Sequence, residues 1–366
     1  MTSRLPRLAV AAWVVAGALV VALVAAVVHY LTQGSGAHMH MGSADALTRG
    51  GGSTPTQPLS DRLVTAWQLD AIAVAVLVIA AAAYLTGVAL FAARTDRRWP
   101  IRRTASFLAG LAVCAFATNG SIAVYDQVLF TAHMAGHLAL VMVAPVLLVA
   151  GHPLTLAVDA ASPERRERIL RVARGRIISL LTSPPVALAA YAGVIVGSHL
   201  TGLMDTIMRN TWAGQVEHLV YVLVGCQFFV LVVGQEPIRW RLASPARWLL
   251  LAIAMAVDTF TGIVLMQGTT AVHLVDSGLD VDALSETHTG GAIMWFGGDA
   301  IMAVVMVALV VNWLRVVDRR PAPKGWLEQA RGATFTEHTG ASGADVDEDD
   351  AARDAYNEWL QRLNRS

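Results

Sequence analysis

His133 and His137 lie near the start of one long apolar run, FTAHMAGHLALVMVAPVLLVAGHP, from residue 130 to residue 153. Four residues apart on a helix is about 40° in azimuth and about 6 Å along the axis, so both imidazoles share a face and can share a ligand. An ionisable side chain inside an apolar span is costly and is a functional candidate by default. The neighbouring Met134 adds a thioether. A second dense run of imidazole and thioether donors, His38-Met39-His40-Met41, sits in a stretch rich in Gly, Ser, Thr and Pro. Thioethers select Cu(I), and imidazole accepts copper in either oxidation state. The competing readings are a flexible loop for His38 to Met41 and an interhelical hydrogen bond for each intramembrane histidine.

The elements that must position these groups are helices in a bilayer. Of 366 residues, 55% are hydrophobic and 15% charged, and the mean hydropathy is +0.53. Such a composition excludes an ordinary soluble domain and predicts an all-α, polytopic transmembrane helical bundle. Eight apolar runs are expected to span, at about residues 8–30, 67–91, 107–125, 130–153, 186–204, 212–234, 248–266 and 291–313. The first is read as an uncleaved N-terminal helix within residues 1–31, followed by the His/Met linker over 32–66, a seven-helix core over 67–320 and a polar tail over 321–366. The tail carries an acidic run from Asp345 to Asp350. It closes on Tyr356, Trp359, Leu360 and Leu363, which share one face of a short helix.

Arginines cluster in alternate loops: Arg94 to Arg103, Arg165 to Arg176, Arg239 to Arg247, and Arg315 to Arg320. The positive-inside rule then puts both termini in the cytoplasm of a bacterial cell, with the protein multi-pass in the plasma membrane. The arginine-rich stretch that opens Ser162-Pro163-Glu164 reads as an amphipathic helix on an anionic lipid surface, with Ser162 as its cap. No soluble basic face exists for nucleic acid. Cys114 and Cys226 lie in different apolar runs without a CxxC spacing and read as small buried residues.

In that topology nine of the eleven histidines fall at or outside the extracytoplasmic half. His199 in the fifth span and His218 in the sixth come to the depth of His133 and His137, and His288 sits just before the eighth. These residues, with Met134 and the His38–Met41 run, are the ligand candidates for a metal or cofactor site, the His38–Met41 run suiting copper as Cu(I). Asp258 and Asp299 within spans, and Glu217 beside His218, are candidates either to orient an imidazole N–H or to join a structural hydrogen-bond network. A haem-binding electron carrier remains an alternative, because facing histidines also hold haem. A copper transporter is the third, disfavoured by the scarcity of ligands in the inner half. No nucleotide loop or Ser/His/Asp arrangement supports an enzyme.

Several blocks resemble a known family. His133-Met134-Ala135-Gly136-His137-Leu138 with Ala144-Pro145 and Gly151-His152-Pro153-Leu154 is one. Glu217-His218-Leu219 through Gly225 to Gly234 and Pro237 is another, and Gly290-Gly291-Ala292-Ile293-Met294-Trp295 with Gly297 a third. In this order they resemble the polytopic CtaG-type cytochrome c oxidase assembly factors of Gram-positive bacteria, over about residues 67–320. The resemblance implies copper supply or insertion at the CuB centre, with the oxidase catalytic subunit, and another copper chaperone, as partners. One departure is that Asp258 stands where a histidine is expected before Gly262-Ile263-Val264-Leu265-Met266.

Overall fold

The computed structural model describes residues 67–126, 128–209, 211–272, 282–317 and 350–364. The expected first span, the His38–Met41 run, His273 and most of the acidic run lie outside them. Among the described residues there is no strand, and the chain runs through helices α1 (Ala71–Thr95), α2 (Ile101–Asn119), α3 (Ser121–Tyr125) and α4 (Phe130–Leu138). A π-helical turn, Ala139–Val143, joins α4 to α5 (Ala144–Ala150). There follow α6 (Pro153–Asp159), α7 (Pro163–Ala173), α8 (Arg176–Leu181), α9 (Pro184–His199), α10 (Leu203–Arg209), α11 (Thr211–Val233) and α12 (Ser244–Gln267). A second π-helical turn, Ile293–Gly297, joins α13 (Ala283–Ala292) to α14 (Gly298–Val317), and α15 (Asp350–Leu363) covers the expected terminal helix.

Among the described residues, six helical stretches are long and apolar enough to cross a bilayer: Ala71–Thr95, Ile101–Tyr125, Phe130–Asp159, Trp212–Val233, Ser244–Gln267 and Ala283–Arg315. The run expected at 186–204 forms α9, whose 16 residues end at His199. At about 1.5 Å per residue α9 is shorter than a typical hydrocarbon core. Its end follows from local chemistry: the Ser198 hydroxyl bonds back to the Val194 carbonyl, Thr201 to Gly197, and Gly202 follows. Such back-bonding loosens the last helical turn. Ser162 takes the expected cap position of α7 with extended backbone, but Pro163 starts the helix without a side-chain capping bond.

The stretch from Phe130 through α5 is the axis of the bundle. It packs against α2, α11 and α13, and Phe130, Met134, Val141, Met142 and Ala144 are wholly buried. Pro145 lacks the N–H that would return to Val141, and its ring would crowd that carbonyl in regular α geometry. The π turn lies directly before it, with the Ala144 N–H reaching back five residues to Ala139. Proline thus accompanies a register change in the helix. On α11, Gly225 faces this point. A Cβ there would overlap the Val141 carbonyl oxygen and meet the Pro145 ring. Glycines also let α12 and α13 touch backbone to backbone. A Cβ on Gly262 would lie 2.9 Å from the Gly291 carbonyl, and one on Gly291 would lie 2.9 Å from that of Gly262. Small residues of this kind let membrane helices approach closely.

Helix ends are tied by side chains from distant segments. Glu286 accepts from the Thr131 N–H at 3.1 Å and from its hydroxyl at 2.8 Å, capping α4. Glu236 does the same for α6, accepting from Leu154 N–H, Thr155 N–H and the Thr155 hydroxyl at 2.7–3.1 Å. Burial pushes the Glu236 carboxyl up, while those donors pull the other way. At the end of α11, Gly234 takes φ +65, and Arg247 donates to the carbonyls of Val233, Gly234 and Leu242. An arginine over the last carbonyls of a helix satisfies groups the helix cannot.

Gly225→Ala places a methyl against backbone that cannot retreat. The expected loss is about 1–3 kcal/mol of stability, read as a lower melting temperature in detergent. Gly193→Ala, where nothing lies within 4 Å of the added Cβ, serves as the control and leaves the melting temperature unchanged.

Candidate metal centre

His133 and His137 point inward from α4, 2% and 1% exposed, and His199 meets them from the last residue of α9, 5% exposed. The ring centroids of His137 and His199 are 4.7 Å apart in an edge contact, and those of His133 and His199 are 6.0 Å apart. Tyr221 of α11 packs on the other side of His137 at 4.5 Å. Three imidazoles from two helices therefore share one dry pocket near the capped end of α4.

The hydrogen bonds decide which nitrogen of each ring is left over. His133 Nδ1 lies 2.8 Å from Asp126 Oδ1. An ionised carboxylate only accepts, so Nδ1 carries a proton, and in the neutral ring Nε2 keeps its lone pair. His199 Nδ1 lies 2.8 Å from the Ile195 carbonyl, which also only accepts, and 2.8 Å from Ser198 Oγ. His133 Nε2, His199 Nε2 and both nitrogens of His137 are buried without a hydrogen-bond partner among the described residues. Buried polar atoms of native proteins are nearly always paired, so four orphaned imidazole nitrogens in one pocket are a marked exception. A ring whose far N–H is held by a carboxylate or a carbonyl is the usual arrangement of a metal-ligating histidine.

Glu217 closes the pocket from α11. It is 6% exposed, takes a hydrogen bond from the Tyr221 hydroxyl through Oε1, and leaves Oε2 unpartnered. The same hydroxyl lies 3.3 Å from Ser198 Oγ, joining α11 to the turn that carries His199. Glu217, Tyr221 and Gly225 are spaced by four and form one buried face of α11. Carboxyl groups thus stand within electrostatic reach of the imidazoles on two elements, Asp126 and Glu217.

The other expected ligands are placed differently. His218 follows Glu217 and is turned about 100° from it. It is half-buried with Nδ1 unpartnered, and it lies in electrostatic reach of Asp126 and Glu217. It makes no ring contact with the three imidazoles among the described residues. His288 Nε2–H donates to the Gly268 carbonyl at 2.9 Å, clamping the end of α12 to α13, and is not brought to the cluster. Met134 is wholly buried, but its side chain packs where Gly290 opens space on α13. Asp299 accepts from the Thr259 hydroxyl at 2.9 and 3.1 Å, and Asp258 is wholly buried beside Gly298. Neither carboxylate orients an imidazole.

Asp126, Ser198 and Tyr221 escaped the reading of the sequence. Asp126 sits at the end of an apolar run, seven residues before His133, where an acidic residue reads as a loop residue. Only the break between α3 and α4 folds it back over the histidine. As arranged, no group of three His, Cys, Asp or Glu side chains among the described residues stands ready to hold a metal ion.

Residues 82–316 match the family described as cytochrome c oxidase caa3 assembly factor. Uncharacterized proteins of Mycobacterium bovis and Mycobacterium tuberculosis are each 31% identical over 323 residues, covering 85% of this chain and 46% of the relative. One of Mycobacterium leprae is 29% identical over the same coverage. The chain therefore spans about half the length of the curated relatives it matches. No solved structure matches it. With the matching region running from within α1 to the end of α14, the chain belongs to the cytochrome c oxidase caa3 assembly factor family.

Proposed function

We propose that the protein holds copper as cargo on the extracytoplasmic side of a bacterial plasma membrane and supplies it to the CuB centre of cytochrome c oxidase. The observation that carries this reading is the set of unpartnered imidazole nitrogens on His133, His137 and His199, two of them on rings whose Nδ1–H is already held. Neutral imidazole nitrogens suit copper, and a dry pocket with carboxylates nearby offsets the charge that a cation brings in. Three neighbouring rings, one pair of them in edge contact and short of a closed ligand shell, fit a cargo that must leave again. Small rotations of His137, which no hydrogen bond restrains, would close or open the site. The arginine-rich loops lie at the other ends of these helices, which supports an extracytoplasmic pocket. The His38–Met41 run would capture Cu(I) first. The oxidase catalytic subunit, and a separate copper chaperone, are the proposed exchange partners.

Anaerobic titration of the purified chain with Cu(I) against a chromophoric chelator tests the proposal directly. Wild type is expected to bind copper with nitrogen ligands in X-ray absorption. The His133→Ala/His137→Ala variant is expected to lose that equivalent, keep its helical circular dichroism, and fail to support oxidase activity in a cell lacking the native copy. Copper stoichiometry and oxidase activity both unchanged in the double variant would overturn the proposal.

Asp126→Asn keeps shape and removes the charge on His133. Copper affinity is expected to fall about 10–100-fold, the usual effect of removing a carboxylate that orients a ligand, with stoichiometry retained. Asp299→Asn, at a carboxylate turned to Thr259, leaves the affinity of the imidazole site unchanged.

A further inference from the structure

Asp258 lies midway along α12, is 0% exposed, and among the described residues has no hydrogen-bond donor on either carboxylate oxygen. Tyr191 on α9 is also 0% exposed with an unpartnered hydroxyl, and it stands in electrostatic contact with Asp258. Two such oxygen-bearing side chains within electrostatic reach of each other inside an apolar bundle call for a ligand.

The third wall comes from the two π turns. A Cβ placed on Gly298 would lie 2.7 Å from Asp258 Oδ2 and 3.4 Å from the terminal methyl of Met142. The carboxylate from α12 and the end of the Met142 side chain from the first π turn thus approach the same point beside Gly298, which a side chain at residue 298 would fill. Met302 sits one turn along α14 on the same face as Gly298 and is wholly buried. Asp299 is turned aside to the Thr259 hydroxyl.

We propose that Asp258, Tyr191, Met142 and Met302 form a second, membrane-interior site for Cu(I), below the imidazole cluster. Two thioethers favour a soft monovalent ion over the hard cations, which demand six or more oxygens. One carboxylate balances one positive charge, so the loaded pair adds no net charge to the apolar interior. The position also fits a route from the first site. Tyr191, Ile195 and His199 are spaced by four on one buried face of α9, which places Tyr191 about 12 Å along the axis from His199. Met142 lies five residues beyond His137 on the central helix. The inference rests on copper being the cargo, but it needs residues that the imidazole site does not use.

The test is anaerobic titration of the full chain in detergent with Cu(I), repeated with Ag(I), together with X-ray absorption. Wild type is expected to bind one equivalent more than Met142→Leu/Met302→Leu and one more than Asp258→Asn. The sulfur scattering should fall in the methionine variant, to what the thioethers of the His38–Met41 run supply, and persist at its wild-type level in His133→Ala/His137→Ala. Leucine for methionine conserves volume, and equal melting temperatures exclude a folding defect. An equivalent that survives in both the Met142→Leu/Met302→Leu and Asp258→Asn variants, or a wild type whose only equivalent vanishes with the histidines, overturns the second site while leaving the first intact. A wild type that binds no copper overturns both.

Discussion

The missing N–H of Pro145 is the constraint from which much of this bundle follows. A proline in mid-helix removes the bond to Val141 and brings its ring toward that carbonyl, and here a wider turn over Ala139–Val143 lies just ahead of it. The altered turn offers Val141 and the Pro145 ring to α11, and only a residue without a Cβ can come close enough to pack there. Gly225 is that residue. Once it is seated, Tyr221 and Glu217, one and two turns away on the same face, must come alongside His137 and His133. A backbone defect in the central helix thereby sets the register of the helix that closes the imidazole pocket.

Polar groups in this chain fall into two populations. Glu236, Glu286, Asp70 and Arg247 each bond backbone groups at helix ends, where unpaired N–H and C=O groups would otherwise be exposed to lipid. Asp70, for example, accepts from Ile72 and Ala73 while its own N–H donates to Asn119. His133, His137, His199, Glu217, Asp258 and Tyr191 instead keep at least one buried atom without a partner. The contrast separates groups that hold the fold from groups kept available. Both of the latter clusters lie against π turns or against the glycines next to them, the places where helix geometry departs from the regular ladder.

The helical architecture was legible in the sequence because apolar runs of bilayer length have few other solutions. Six of the expected spans appear as bilayer-length helices, the fifth run forms the shorter α9, and the first lies outside the described residues. The pairing of His133 with His137 was legible for the same reason, since helical spacing alone puts i and i+4 on one face. His199 joined them as its depth implied. His288 shared that depth but found the Gly268 carbonyl, because depth along a span carries no information about azimuth.

What the sequence alone determined, then, is local: which segments are helical, which face carries the paired imidazoles, and which blocks belong to the oxidase assembly factor family. Tertiary structure decided the rest. It folded Asp126 back onto His133, aimed Tyr221 and Glu217 at the pocket, and set Asp258 against Gly298, in electrostatic reach of Tyr191, rather than against an imidazole. Each of these pairings joins separate elements, α3 to α4, α11 to α4, α12 to α9 and α14. Their relative rotation comes from glycine contacts and from the π turns, and no periodicity within one segment encodes it.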